Sequence, residues 1–256
     1  PWQRAAKNLI FGRIITSKKG NIHKVSAYYK SKEFDGSYQV EYSLYPSGMV
    51  KVTSHLRINK GQQLPNIPRV GMQFSMPGNF EFVSWFGRGP HESYADRKLS
   101  AQVSHFKGLV RDQIHHYSRP QENGNKTDVR WMAMQNNEGK GLLAVGGQLL
   151  NTSVWPYRQS DIDFIAGKDG SASASGLVPV TSKHGSDVPM RDLVTVNIDH
   201  KQMGVGGDTS WGRLVHDEYT IPAKSYRYEF MMVPFEQSPD MAALARKIRH
   251  LNLFKD

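Results

Sequence analysis

Ser37-Tyr38-Gln39-Val40-Glu41-Tyr42-Ser43-Leu44-Tyr45-Pro46-Ser47-Gly48-Met49-Val50-Lys51-Val52-Thr53-Ser54-His55-Leu56-Arg57-Ile58 is a stretch in which apolar and polar side chains change places at nearly every step. Tyr38, Val40, Tyr42 and Leu44 fall on one side and Gln39, Glu41 and Ser43 on the other. A period of two belongs to a half-buried strand. Pro46-Ser47-Gly48 turns the chain, and Val50, Val52, Ser54, Leu56 and Ile58 carry the alternation back, so residues 37–58 read as a β-hairpin. Strand-like runs recur at 23–30, 70–76, 80–86, 129–135, 141–150, 193–200, 214–221 and 225–234, with turn signals such as Asn136-Asn137-Glu138-Gly139 and Asp199-His200-Lys201 between them. Short strands in such regular succession predict an all-β domain of packed antiparallel sheets rather than βαβ units.

Helical signal is sparse. Ser238-Pro239-Asp240 opens a helix, with proline in its first turn. Met241, Leu244, Ala245, Ile248 and Leu251 then fall at helical spacing through 240–252, with Lys247, Arg249 and His250 near the C-terminal end, where cations suit the helix dipole. Trp2–Leu9 and residues 157–164 carry two shorter helical patterns. The polar stretches 86–128 and 166–192 read as long loops, beyond the usual connection length, and Gly167–Gly176 as a flexible hairpin tip. The expected organisation is one sandwich domain over 1–236 and a helical extension over 237–256.

Across 256 residues, 38% hydrophobic and 11% aromatic content supplies a packed core and excludes a disordered chain. There is no run of about 18 apolar residues, so no membrane span is predicted. The absence of cysteine excludes disulfides, thiolate nucleophiles and cysteine-based zinc sites. A net charge of +10 would favour nucleic acid if it were clustered. The basic runs Lys18-Lys19 and Arg246-Lys247-Ile248-Arg249 are short and far apart, so an acidic surface of a parent protein is the expected counterpart and nucleic acid is not. Pro1-Trp2-Gln3-Arg4-Ala5 shows neither an initiating Met nor a signal-peptide apolar region. It reads as cut from a larger protein, with the compartment open between cytoplasm and periplasm.

Two motifs carry chemistry. Met203-Gly204-Val205-Gly206-Gly207-Asp208-Thr209-Ser210-Trp211-Gly212 is a glycine-dense loop ending on one large aromatic. Glycines permit positive φ and close backbone approach, and Asp208 can pin the loop through its own amides. Trp211 would then present a flat apolar face and a polar N–H, which suit a sugar ring; its alternative is a core aromatic between sheets. Trp85-Phe86-Gly87-Arg88-Gly89-Pro90-His91-Glu92-Ser93-Tyr94-Ala95-Asp96-Arg97-Lys98 alternates charges inside a Gly/Pro-rich segment, as a salt-bridged loop at a domain interface requires. Its structural positions are Trp85, Gly87, Gly89, Pro90, Glu92, Tyr94, Asp96 and Arg97.

The second motif resembles the W-x-G-x-G-P-x-E-x-Y-x-D-R segment of lac-type β-galactosidases, glycoside hydrolase family 2, in their C-terminal small-chain domain (domain 5). Three further stretches resemble the same family in the same order: Leu64-Pro65-Asn66-Ile67-Pro68-Arg69-Val70-Gly71, Tyr117-Ser118-Arg119-Pro120-Gln121-Glu122-Asn123-Gly124, and Met203–Trp211. The resemblance implies a twisted antiparallel supersandwich, galactose-mutarotase-like, packed against a separate barrel domain that bears two catalytic glutamates. It implies that Trp211 stacks on a β-galactoside at the active-site mouth. It also implies a homo-oligomeric full-length enzyme, with any Mg2+ or Na+ held by barrel residues absent here. The family's opening strand motif W-R-A-P-x-D-N-D is missing, which implies an unpartnered sheet edge.

Glycoside hydrolysis needs two carboxyl groups flanking the scissile bond, and no catalytic residue is assigned in this chain. Asn137-Glu138 looks like an acid/base pair but lies before Gly139-Lys140-Gly141, a hairpin turn. Glu122-Asn123-Gly124 reads as a turn whose Glu holds Arg119 or Arg130. The ten histidines lack metal-ligand spacing, and adjacent His115 and His116 would face opposite sides of a strand, so neither metal nor cofactor is expected. The second reading is a stand-alone carbohydrate-binding module or an aldose-epimerase-like enzyme, with His216 or Glu218 facing another His.

Overall fold

The computed structural model describes residues 1–118, 120–162, 185–207, 214–237, 239–251 and 253–254. Helix α1 (Trp2–Ala5) precedes β1 (Leu9–Lys19), β2 (Ile22–Ser31), β3 (Gly36–Leu44) and β4 (Val50–Ile58). There follow β5 (Arg69–Pro77), β6 (Phe82–Gly89), β7 (Gln102–Leu109), β8 (Lys126–Gln135) and β9 (Gly141–Trp155). Helix α2 (Gln159–Ile162), β10 (Leu193–Gln202), β11 (Tyr226–Phe235) and helix α3 (Met241–His250) complete the order.

Every strand pairing is antiparallel. One path runs β1-β2-β3-β4-β11-β9-β8-β6-β7, and β5 joins through β10 to β9. The architecture is an all-β antiparallel supersandwich with one short C-terminal helix. Strand β9 belongs to both layers. Its first residues, Gly141–Gly146, pair with β11, whereas Asn151–Trp155 pair with β10. Between them its register against β8 slips, from Trp131↔Val145 to Val129↔Leu150. Gly146 lies in this step, where a Cβ would meet Gln148 O at 2.2 Å.

The central strands are apolar on both faces, which is why their alternation reads less clearly than that of β3. Met132 and Met134 of β8 and Phe230 of β11 join one core with Val196 and Ile198 of β10 and the inward Met72 and Phe74 of β5. Trp131 and Ala133 of β8 and Met231 and Val233 of β11 point the other way, onto Ala245 and Ile248 of α3. Asp240 caps that helix by accepting from Ala242 N at 2.9 Å and Ala243 N at 3.1 Å, a contribution of about 1 kcal/mol. Arg249 donates to Gly146 O at 2.9 Å and fixes the helix to the bend in β9.

The hairpin over 37–58 forms as expected, as β3 and β4, and Asn136–Gly139 is the turn between β8 and β9. One strand carries no sequence signal, and other expectations are corrected: Asp199-His200-Lys201, read as a turn, is a bulge inside β10. Residues 9–19 form a full strand; among the described residues they pair only with β2, and they are exposed from Ile10 onward, so no apolar/polar alternation marks them. Residues 102–109, assigned to a polar loop, form the exposed edge strand β7. Residues 214–221 are not a strand: Asp217–Tyr219 make a single 3-10 turn, with Tyr219 N donating to His216 O at 2.9 Å and Thr220 Oγ1 to Asp217 O at 2.7 Å. These local polar groups compete with a ladder. The helix over 2–9 ends at Ala5. The hairpin tip 167–176 lies outside the described residues.

Candidate functional site

Strand β6 delivers the tryptophan motif into the core. Trp85 is buried, donates from Nε1 to Arg88 O at 3.0 Å, and has its ring 5.3 Å from that of Phe106. Gly89 must be glycine because a Cβ there would lie 2.8 Å from the Phe106 ring and 2.9 Å from Trp85 Cζ2. At Gly87 a Cβ would come within 2.9 Å of Val129 Cα on β8. The Gly89–Pro90 peptide is cis. Arg88 closes the segment by donating to Asp128 Oδ2 at 2.6 Å and to Ala101 O at 2.7 Å.

Past Pro90 the chain makes a loop stapled at both ends. Glu92 accepts from the Tyr117 hydroxyl and from Gly124 N at 2.7 Å. Burial, followed by donation to that carboxylate, pushes the Tyr117 hydroxyl up to about 12. Tyr94 is buried, and its backbone pairs with that of Arg97. Asp96 Oδ2 then accepts from Gly206 N at 2.8 Å. This bond joins the tryptophan motif to the glycine-dense loop, 110 residues away. Arg97 lies so close that a Cβ on Gly206 would overlap its guanidinium.

The foot of the glycine-dense loop is thus held on three sides. Met203 N donates to Pro68 O at 3.0 Å, Gly204 N to Tyr219 O at 2.9 Å, and Gly206 N to Asp96. Trp211 and Asp208 lie outside the described residues. Asp96→Ala is expected to cost about 1.5–3 kcal/mol, the range for a hydrogen bond to a charged group. Amide hydrogen exchange at Gly206 should accelerate at least tenfold while β8 amides change only with global stability; unchanged Gly206 exchange would refute this anchoring.

Beneath the loop lies an ionic cluster that local spacing does not reveal. Arg69 at the start of β5 donates to Glu122, to Gln202 Oε1 at 2.7 Å and to Asn197 Oδ1 at 3.2 Å. Its Nε is 3.4 Å from Asp199 Oδ2, and its guanidinium lies 5.6 Å from the Trp155 ring centre. Asp199 is buried against Gly71, where a Cβ would come within 1.7 Å of Oδ1. Burial pushes the Asp199 carboxyl up to about 7, with Arg69 opposing and Glu122 adding. Burial likewise raises Glu122 against the pull of Arg69. Burial also lowers the nearby Lys126 ammonium to about 8, against the attraction of Glu92. The cue to these residues is Asn197-Ile198-Asp199, an acid at the end of a buried run.

Other expected pairings resolve differently. Glu122 is held by Arg69, whereas Arg130 donates to Asp128 O at 2.6 Å and Arg119 lies outside the described residues. His115 and His116 are not on a strand; His116 Nδ1 meets Gly185 O at 3.0 Å, and His115 stacks edge-on to Tyr117. His216 precedes the 3-10 turn and Glu218 lies in it, so the proposed facing-strand pair is not formed there. Glu138 reaches only Lys140, at 2.9 Å across an exposed turn. Among the described residues no three His, Asp or Glu side chains are grouped to hold a metal ion. No helix among them is long and apolar enough to cross a membrane.

Comparison with known proteins agrees with this arrangement of motifs. The family model described as "Beta galactosidase small chain" matches residues 2–232. A β-galactosidase of Priestia megaterium is 38% identical over 196 residues, covering 76% of this chain and 17% of that protein. One from Halalkalibacterium halodurans is 30% identical over 211 residues, covering 82% and 19%. The chain therefore spans less than a fifth of the length of either relative. Among solved structures, a TPR-domain containing protein from Parabacteroides distasonis superposes with a TM-score of 0.50 and 13% identity, covering 90% of this chain and 36% of that one; it bears on the fold alone. The chain belongs to the β-galactosidase small-chain family.

Proposed function

We propose that the chain is the non-catalytic C-terminal small-chain domain (domain 5) of a lac-type β-galactosidase of glycoside hydrolase family 2. In this reading the parent hydrolyses terminal β-galactosides as a homo-oligomer, with its two glutamates, and any magnesium or sodium, on a barrel domain elsewhere in the polypeptide. This domain shapes the mouth of that site. Residues 237–256 are then an extension beyond the small-chain domain proper.

One observation carries the reading. The base of the glycine-dense loop is clamped by Asp96 of the tryptophan motif, and a loop fixed at its base can hold its terminal indole in one place. Trp211 is the residue proposed to meet sugar, with Asp208 pinning the loop's far side. Stacking an indole on sugar C–H groups, shared with other walls, is worth about 1–2 kcal/mol. In the full-length enzyme Trp211→Ala should therefore weaken substrate binding about 5- to 30-fold and slow transfer to an acceptor. Unchanged steady-state kinetics would remove Trp211 from the site. The 256-residue chain alone should give no turnover of a chromogenic β-galactoside above the buffer blank; activity that survives repurification would contradict the non-catalytic assignment.

A further inference from the structure

The positive charge that looks dispersed along the sequence is gathered by the first hairpin. Residues 1–32 hold Arg4, Lys7, Arg13, Lys18, Lys19, Lys24, Lys30 and Lys32 and not one Asp or Glu. They account for eight of the chain's ten surplus charges. Arg4 is paired with Glu33 and Lys24 with Glu41. Among the described residues no carboxylate pairs with Lys7, Arg13, Lys18, Lys19, Lys30 or Lys32.

Most of these cations flank β1, which among the described residues pairs only with β2 and forms the open edge of the large layer. An unpaired edge presents a row of free N–H and C=O groups, a template for another strand. This edge is also apolar on both faces. Phe11 and Ile14 are 55% and 56% exposed on the face shared with Tyr29 and Ala27. Ile10 and Ile15, each 44% exposed, lie on the opposite face. The order along the strand is apolar first, from Ile10 to Ile15, and cationic last, at Lys18 and Lys19.

We propose that the β1 edge is a docking site for an extended acidic segment of a second polypeptide, added antiparallel as a further strand. Its acidic residues come first, opposite Lys18 and Lys19, and its apolar residues follow, opposite Ile10–Ile15. Backbone pairing supplies the affinity in such strand addition, and side chains on alternate faces supply the selectivity. Charge argues against a second copy of this chain, because two hairpins with eight cations and no acid would repel. The apolar residues argue against nucleic acid, which would leave Ile10, Ile14 and Ile15 uncovered. Trp2 donates to Pro65 O at 2.8 Å and packs on Phe34, which holds helix α1 off the open side of β1. Helix α3 lies against β8, β9 and β11.

The probe is a fluorescein-labelled peptide of about ten residues, Glu and Asp in its first half and Val, Thr and Ile in its second, titrated into the 256-residue chain. Saturable anisotropy change is expected, with the β1 amides becoming protected from hydrogen exchange in the complex. Reversing the peptide's order, or the substitutions Arg13→Glu, Lys18→Glu and Lys19→Glu together, should weaken binding at least tenfold. Because these side chains are exposed, the variant should keep its fold, which its far-ultraviolet spectrum checks. The proposal is overturned by no saturable binding, by equal binding of the reversed peptide or of a duplex DNA of similar charge, or by protection that appears elsewhere than β1. A concentration-dependent dimer of the chain through β1 would overturn it in favour of self-pairing.

Discussion

Arg69→Met should lower the unfolding free energy by about 3–5 kcal/mol, the cost of leaving buried charge without its partner. The guanidinium is the cation that Glu122 and Asp199 share, and it also satisfies Asn197 and Gln202 while lying over Trp155. Methionine keeps much of the volume and removes all of the donors. At about 2–4 °C per kcal/mol for chains of this size, the melting temperature should fall by about 6–20 °C. Lysine should recover less than half of the loss, since a point charge cannot reach several acceptors in a plane as a guanidinium does. Removing the charges together, by Arg69→Met with Glu122→Gln and Asp199→Asn, should restore most of the stability, because a buried ion cluster is expensive chiefly when left incomplete. Urea unfolding of the three variants at pH 8, above the range in which Asp199 holds its proton, decides this. A loss under 1 kcal/mol for Arg69→Met would show that the carboxylates there carry no charge needing compensation.

Stability should also fall as pH rises from about 4 to 7, against the habit of acid-denatured proteins, and Asp199→Asn should remove most of the effect. Burial raises the Asp199 carboxyl from an ordinary 3.8 to about 7. Within that window the folded chain holds a proton that the unfolded chain has released. Stability then decreases with pH; the contribution is complete below about 3.8 and lost above about 7. Three decades of proton affinity correspond to roughly 4 kcal/mol. Glu122, raised in the same direction by burial, acts with the same sign. Asp128 and Glu41 are held low, since hydrogen bonds from Arg88 and Lys24 outweigh burial. Their stabilisation is lost only on acidification below the ordinary carboxylate range, so it falls outside this window. Lys126, lowered to about 8 by burial, affects only more alkaline solutions. Urea midpoints at pH 5 and pH 8 should therefore show a fall in stability for the native chain that is much larger than any fall for the Asn variant. The same pH dependence in both proteins would mean that Asp199 is ionised throughout.

The parts of the fold that could be read from the sequence are those with one wet face. Tyr38, Val40 and Tyr42 alternate with Gln39, Glu41 and Ser43 because β3 packs its first set on the core and leaves polar groups on the other side. Strand β1 escaped because solvent reaches both of its faces and the irregularity between Phe11 and Arg13 throws the spacing out of phase. Residues 214–221 misled in the opposite sense. Their apolar residues are real, but Thr220 donates twice to Asp217 O and closes a local turn in place of a continuous ladder. The site divides in the same way. Collinear motifs announce Trp85, Asp96 and the glycine-dense loop. The bond from Gly206 to Asp96 and the gathering of Arg69, Glu122 and Asp199 depend on strands meeting across long sequence separations, which no local pattern encodes.

Strand β9 has a consequence for how the molecule comes apart. The same 15 residues serve β11 at one end and β10 at the other, so the two layers are joined through one shared strand. Peeling away β10 and β5 frays the strand that also supports β11, so melting should be a single all-or-none event. For anyone re-cutting the chain, the Asn136–Gly139 bend is a tolerable place for new termini. A nick at Gln148 would divide the one strand on which both halves are threaded.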